Sequence, residues 1–229
     1  MVCSGANCQA TFEDVLFDRC SLIVLSAAQA TLTEASFSNV EAWQSELGLL
    51  VHGVSSRVAV QGGTVAGGTQ AVAVQAGGHL EATGLTITGV GAIGAEVGGE
   101  GSCLSLTCCE MRDFDEQVAL GVHVHSSGSA QLSSLSVSGR HSEGVRVASS
   151  ASATLDDCNV SDSAWACVLV SDRGTGNLSG CTLYEGVRNA LQVLGTGTNV
   201  HATKFHFRQN RKGAVVSGGA TLTLSLIHI

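Results

Sequence analysis

The stretch GVRVASSASATLDDCNV, residues 144–160, decides the fold, because the window beginning 23 residues later, CVLVSDRGTGNLSGCTL at 167–183, repeats its pattern. Val145 and Val147 answer to Val168 and Val170, Ala153 and Leu155 to Gly176 and Leu178, and Cys158 and Val160 to Cys181 and Leu183. In each window apolar or small residues occupy alternate positions in three short runs, and Ser, Asp, Asn and Gly interrupt the runs. A period of two is that of a strand with one buried face, and the polar interruptions have turn chemistry. One unit therefore reads as three short strands joined by bends.

Working outward in both directions, Phe12, Leu32, Val58, Leu80, Leu104, Leu132, Leu155, Leu178, Val200 and Leu222 form one column, at spacings of 20 to 28 residues. A small residue lies two places before every member, from Ala10 and Ala30 to Thr198 and Ala220. Five places after it runs a further apolar column, from Phe17 and Phe37 to Leu183 and Phe205, with Gly63 as the misfit. Apolar pairs such as Leu22/Val24, Val72/Val74 and Val122/Val124 precede the column, and the longer units have room for loops at 41–47 and 112–118. A single unit cannot cover its own apolar face, so it must lie on the next, with equivalent residues stacked at ~4.8 Å. The expected architecture is all-β: a right-handed, single-stranded parallel β-helix of about ten coils over residues 1–224. The repeat is already under way at Gln9, so the domain is expected to be incomplete at the N-terminus. Residues 225–229 are expected to form a non-repeat tail, which resembles translated sequencing adapter.

Two other repeat folds compete. Leu132-Ser133-Ser134-Leu135-Ser136-Val137 imitates a leucine-rich repeat, but the Asn or Cys required three places later is Arg140, Ser163 or Gly186 in successive units, and Cys20 is an isolated fit. A left-handed β-helix needs strict hexapeptides, which the variable unit length does not supply. At the quoted columns the chain resembles the parallel β-helix repeat family, the pectate-lyase-like (pectin lyase-like) superfamily, over roughly Ala10 to Leu224. The resemblance implies the fold but hardly any particular activity, since that family includes polysaccharide lyases, glycoside hydrolases, phage adhesins, epimerases and protein-recognition modules.

Composition supports strands. The 229 residues are 44 % hydrophobic, yet only 6 Phe, 2 Trp and 1 Tyr contribute aromatic bulk, so Val, Leu, Ala and Ile must build the core. The 29 glycines would each cost roughly 1 kcal/mol relative to Ala inside a helix, and the absence of proline suits a sheet that needs nearly every backbone N–H. Net charge is −8, with 11 basic and 19 acidic residues, and the basic ones are scattered apart from a group between Lys204 and Lys212. No nucleic-acid partner is expected from so small a positive footprint, and no membrane partner from an apolar run no longer than Ala164 to Val170. Nine cysteines without a CxxC pair or a zinc-finger spacing read as stacked, reduced thiols, with a lean toward a reducing, cytoplasmic compartment.

The chemistry is sparse. Calcium-dependent lyases of the resembled superfamily use several carboxylates with an Arg or Lys, and its hydrolases use close Asp residues. Here Asp156 and Asp157 are neighbours on one chain and should point to opposite faces, as a solvated bend pair. Asp113 and Asp115 share a face only if 112–117 is a strand. The hydrolase motifs Asn-Thr-Asp, Gly-His-Gly and Arg-Ile-Lys do not occur, and no cofactor fingerprint, phosphate loop or Ser/His/Asp arrangement rises above chance. No catalytic, cofactor or metal residue is assigned. The candidate surface ligand contacts are His123 and His125, which flank inward Val124, and Arg146, expected one coil above His123 with no carboxylate in the matching column. His201, Lys204, His206 and Arg208 should form a solvated positive edge. The function expected is a non-catalytic β-helical module presenting an extended surface to a protein or polysaccharide partner. The alternative is a fragment of a carbohydrate lyase or hydrolase, and a structural spacer is a third reading.

Overall fold

The structure, a computed structural model, describes residues 1–38, 47–114 and 119–228. Among the described residues every regular element is a β-strand, 28 in all, and every strand pairing is parallel. The chain winds as a parallel β-solenoid with three faces. The first face is a sheet ten strands deep, so nine full turns separate its first strand from its last. The other 18 strands make the second and third faces, which merge where Asn199–Arg208 runs unbroken round the corner and pairs with strands of both. Parts of the expected loops at 41–47 and 112–118, together with Asp115, lie outside the described residues.

The first face follows the alternating pattern closely. Val24, Val51, Val74, Val97, Val124, Val147, Val170 and Val193 pair one to the next in unbroken register, each with essentially no exposed surface. A β-branched side chain is stiff at χ1 and packs closely on a copy of itself one strand spacing away. This inward column is thus a pile of valines with no side-chain polar atoms to satisfy.

On the second face the alternation is as expected but the register is not. Leu132, Leu155 and Leu178 stack directly, and so do Val58, Leu80 and Leu104. Between these blocks the single column splits: Leu32 lies beside Val60 and not Val58, Leu104 beside Ala130, and Leu178 beside Ala202. Each correction is a shift of two residues, which keeps the same face inward and leaves the apolar pattern unchanged. The length of the corner entering the second face sets the choice: Leu25 to Gln29 is one residue shorter than its equivalent, His52 to Arg57. Each strand has two inward positions, and in most coils one is large where the other is small: Ala30 with Leu32, Leu80 with Ala82, Ala153 with Leu155, Gly176 with Leu178. The third face shifts likewise. Phe37 pairs with Val65, so Gly63 is no misfit but a corner residue two places earlier, and the column ends at Phe207 and not Phe205.

The true small column lies at the corner between first and second faces and includes Ala28, Ser56, Gly78, Ser102, Gly128, Ala151, Gly174 and Thr198. Each donates its N–H to the carbonyl three residues earlier, closing a turn, and its own carbonyl accepts from the next coil, as in Ser152 N to Gly128 O at 3.0 Å. Residues just before it hold positive φ, including Ser126 and Ser127 at 49° and 64° and Ser149 and Ser150 at 53° and 62°. The bend between second and third faces uses one such residue in most coils, among them Glu34, Cys108, Ser134, Asp157 and Lys204, and two, Gly62 and Gly63, in one. Asp157 is therefore the bend and Asp156 the end of the preceding strand, the bend pair expected from the sequence.

Cys158 and Cys181 stack as neighbours in the third-face interior, and all nine cysteines are free thiols. The hydrogen bond with the Cys158 sulfur, and then burial, push the Cys181 thiol up. The last strand, Thr221–His228, stays paired as far as His206 with His228, so the segment set apart at 225 continues the ladder through four more residues.

Leu155 is 1 % exposed in the middle of the pile, and Leu155→Ala should cost about 2 to 5 kcal/mol as a cavity. Gly176→Leu should cost about 1 to 3 kcal/mol by overfilling the position next to Leu178. Urea denaturation of both variants measures these losses.

Candidate functional sites on and beneath the solenoid faces

Three strands of the first face, Ile93–Gly98, Leu120–His125 and His141–Val147, lie side by side. Their inward valines leave the residues between them outside, and the register sets Glu96 beside His123 and His123 beside Arg146. Arg146 is where the sequence places it. The expectation that the column lacks a carboxylate is wrong, because Glu96 occupies it one coil below His123. Aligning Ala95-Glu96-Val97 with Val122-His123-Val124 would have revealed it, but the pair there is Ala–Val and does not stand out as an apolar pair.

The three side chains are drawn together. His125 Nε2 lies 2.7 Å from Glu96 Oε1, the other carboxylate oxygen accepts from Gln70 Nε2 at 2.5 Å, and His125 Nδ1 lies 2.9 Å from Ser126 Oγ. The two imidazoles sit with ring centroids 4.6 Å apart. His125 can fold down onto Glu96 because the residue beneath it is Gly98, where a Cβ would fall 2.4 Å from the imidazole Cε1. Burial, helped by His125 and Arg146 and opposed by Glu96, pushes the His123 pKa down to about 4, so that ring is neutral at pH 7. One ligand-type atom from each of Glu96, His123 and His125 falls within 4.8 Å of the others. Arg146 leans to Glu143, 3.7 Å away, whose carboxyl is nearly buried and held above the usual carboxylate range by that burial.

A second constellation lies on the second face. The outward residues Gln131, Thr154, Asn177 and His201 are in register across four coils, and beside them run Ser133, Asp156, Ser179 and Thr203. Together they line an open trough of about 360 Å³. A third is a notch of about 200 Å³ where Arg188 stacks on Trp165 at 4.2 Å from the ring centroid, with Arg211 and Lys212 alongside. The basic group seen in sequence thus divides. His201, Lys204, His206 and Arg208 are exposed along one strand, while Arg211 and Lys212 turn to the notch.

The structure also forms a pair that sequence reasoning did not anticipate: Ser163 Oγ lies 2.8 Å from His141 Nε2, with Asp162 next in the chain. Both Ser163 and His141 have no exposed surface, and Phe114 packs edge-on to the imidazole at 5.3 Å between centroids. No substrate can reach this hydroxyl, so the pair is interior packing. Nothing local in the sequence marks it, since 22 residues, one whole coil, separate the partners, and a register irregularity between His141 and Glu143 sets which residues meet.

These observations define the class: a repeat protein of stacked three-stranded coils with a dry aliphatic interior and polar outer faces. The chain belongs to the right-handed beta helix region family, whose profile matches residues 70–226. No curated protein matches the chain. Among solved structures, the TibC-catalyzed hyper-glycosylated TibA55-350 fragment is 14 % identical, with 94 % of this chain and 97 % of that one covered and a TM-score of 0.28.

Burial pushes His141 down to about 4, against the opposing pull of the Gly139 backbone and the Asp162 charge. The native state then binds fewer protons than the unfolded chain between that value and the ordinary histidine pKa of about 6.5, so stability is full above that range and falls as pH drops through it. The His141 share of the loss between pH 7 and 4.5 should be about 2 to 3 kcal/mol, with His123, also held near 4, adding a further loss of the same sign. His141→Gln should reduce the difference in stability between the two pH values by about that share, read by urea denaturation.

Proposed function

We propose that the chain is a non-catalytic repeat module whose second face holds an extended glycan. The observation that carries this reading is the in-register polar ladder over four coils, with Thr154, Asn177 and His201 repeating at the strand spacing along an open trough. Hydroxyl, amide and imidazole groups are the donors and acceptors that sugar hydroxyls require, and a linear polymer can span several coils at once. Each hydrogen bond contributes only about 0.5 to 1.5 kcal/mol. The backbone that carries them is already ordered by the core, so little entropy is lost on binding.

A protein partner is favoured by a different feature, the exposed Trp165 with Arg188 stacked on it, since Trp and Arg dominate binding hot spots. The two readings use different faces and separate by mutation. Affinity electrophoresis against soluble neutral and acidic polysaccharides should show retardation that Asn177→Ala with His201→Ala weakens by about tenfold, the loss expected for two to three weak contacts. Trp165→Ala should leave that retardation unchanged. Absence of retardation by any polysaccharide would remove the glycan reading. Release of reducing ends or unsaturated products from pectin or alginate would replace it with catalysis.

A further inference from the structure

We propose that Glu96, His123 and His125 form a mononuclear site for a divalent transition-metal ion of the zinc class, bridging two adjacent coils of the first face. This site lies on a different face from the trough and does not depend on the glycan reading. Four features converge on it. The register alone makes Glu96 and His123 neighbours, and the alternation of the strand sends His123 and His125 out on the same side. Three ligand atoms within 4.8 Å need only modest rearrangement, since ligands of a tetrahedral zinc ion at about 2.0 to 2.1 Å stand roughly 3.3 Å apart.

The outer groups are in place as well. Gln70 holds the second oxygen of Glu96, and Ser126 Oγ lies 2.9 Å from His125 Nδ1, where it can accept the Nδ1 hydrogen once Nε2 gives up its own hydrogen and turns its lone pair to a metal. Such partners orient ligands and are as much part of a metal site as the ligands themselves. Gly98 is the fourth feature. It is the space beneath His125, and any side chain there would drive the imidazole off Glu96.

Two imidazoles and one carboxylate select zinc-class ions over calcium or magnesium, which take oxygen ligands. In the unoccupied arrangement the 2.7 Å contact between His125 and Glu96 satisfies both groups, and the metal takes the place of that contact. The nearby Arg146 charge opposes a cation, but Glu143 at 3.7 Å partly offsets it, and the Glu96 carboxylate supplies the compensating charge inside the site. The coordination tetrahedron keeps one position for an outside ligand.

The test is zinc titration of the whole chain by calorimetry, with zinc-edge X-ray absorption on the 1:1 complex. The absorption data are needed because nine free thiols compete for the same ion. The expected result is one saturable site whose first shell holds nitrogen and oxygen near 2.0 to 2.1 Å and no sulfur near 2.3 Å. His123→Ala with His125→Ala should abolish that site, and Gly98→Ala, which removes no ligand, should weaken it by about tenfold or more. His201→Ala, on the second face, should leave it unchanged. A sulfur-dominated shell, or saturable binding that survives the double histidine variant, would overturn the proposal. So would the absence of saturable heat in a wild-type chain whose circular dichroism spectrum shows the β-fold intact.

Discussion

Everything in this molecule depends on equivalent inward side chains lying over one another in a dry interior. A coil of about 23 residues has three strands too short to enclose anything, and its apolar residues acquire neighbours only when another coil lies above or below. The valine pile of the first face and the leucine pile of the second are therefore both the product of winding and its driving force. Backbone geometry repeats the same requirement. Within every inner coil some strand N–H groups bond to the coil before, as Thr64 N to Ala35 O, and others to the coil after, as Gly62 N to Thr83 O, so the ladder is completed by the packing that hides the side chains from water.

The cross-section limits which residues can meet there. In most coils the two inward positions of the second-face strand share one volume, and a leucine at one is accommodated by an alanine or glycine at the other, although Leu104 and Leu106 are both buried on one strand. The corner residues answer to a different limit. The turn entering the second face closes a tight hydrogen-bonded loop through residues with positive φ, and the bulk of any side chain at the small column would meet the coil below. At Gly128 an added Cβ would fall 3.0 Å from the Val97 carbonyl oxygen. Aspartate, serine and glycine at the bends are the residues that tolerate a left-handed backbone at least cost, and they supplied the punctuation by which the repeat could be read.

Much of the architecture was legible for this reason. The alternation in Val145/Val147 and Val168/Val170 identifies inward positions without ambiguity, and the windows at 144–160 and 167–183 are aligned correctly by inspection because both their loops and their turns are equal in length. The misalignments fall where the first-to-second corner changes length, as between Leu25 to Gln29 and the longer His52 to Arg57; the second-to-third bend keeps one length, and the third-face column inherits the shift. There the alternative alignments differ by two residues and both keep the apolar face inward, so the apolar pattern alone does not distinguish them. Leu32 beside Val60 is such a case. The same weakness concealed Glu96. His123 and Arg146 were matched through well-formed Val–x–Val pairs, whereas the preceding coil carries Ala95 and Val97, and a pair containing alanine gives little signal of orientation. The Ser163–His141 contact is not legible from the repeat, because an irregularity between His141 and Glu143 shifts the register that the valine pairs imply.

These limits bear on where function can reside. Inward residues are fixed by volume and bends by backbone conformation, so chemistry is left to the outward positions between them. Such positions are individually unconstrained but collectively ordered: once the interior sets the register, an outward residue on one coil is held one strand spacing from its equivalent on the next. A glutamate in one coil and a histidine in the next become ligand-range neighbours without any sequence proximity, and a threonine, an asparagine and a histidine become rungs of one ladder. Gly98 shows the coupling in the other direction. Its lack of a side chain contributes nothing to the interior, yet it lets the His125 ring descend onto Glu96. In a solenoid of this kind a surface site is created by core register and then refined by a few outward substitutions, and a shift of two residues in the packing of one coil would dissolve it while leaving the fold intact.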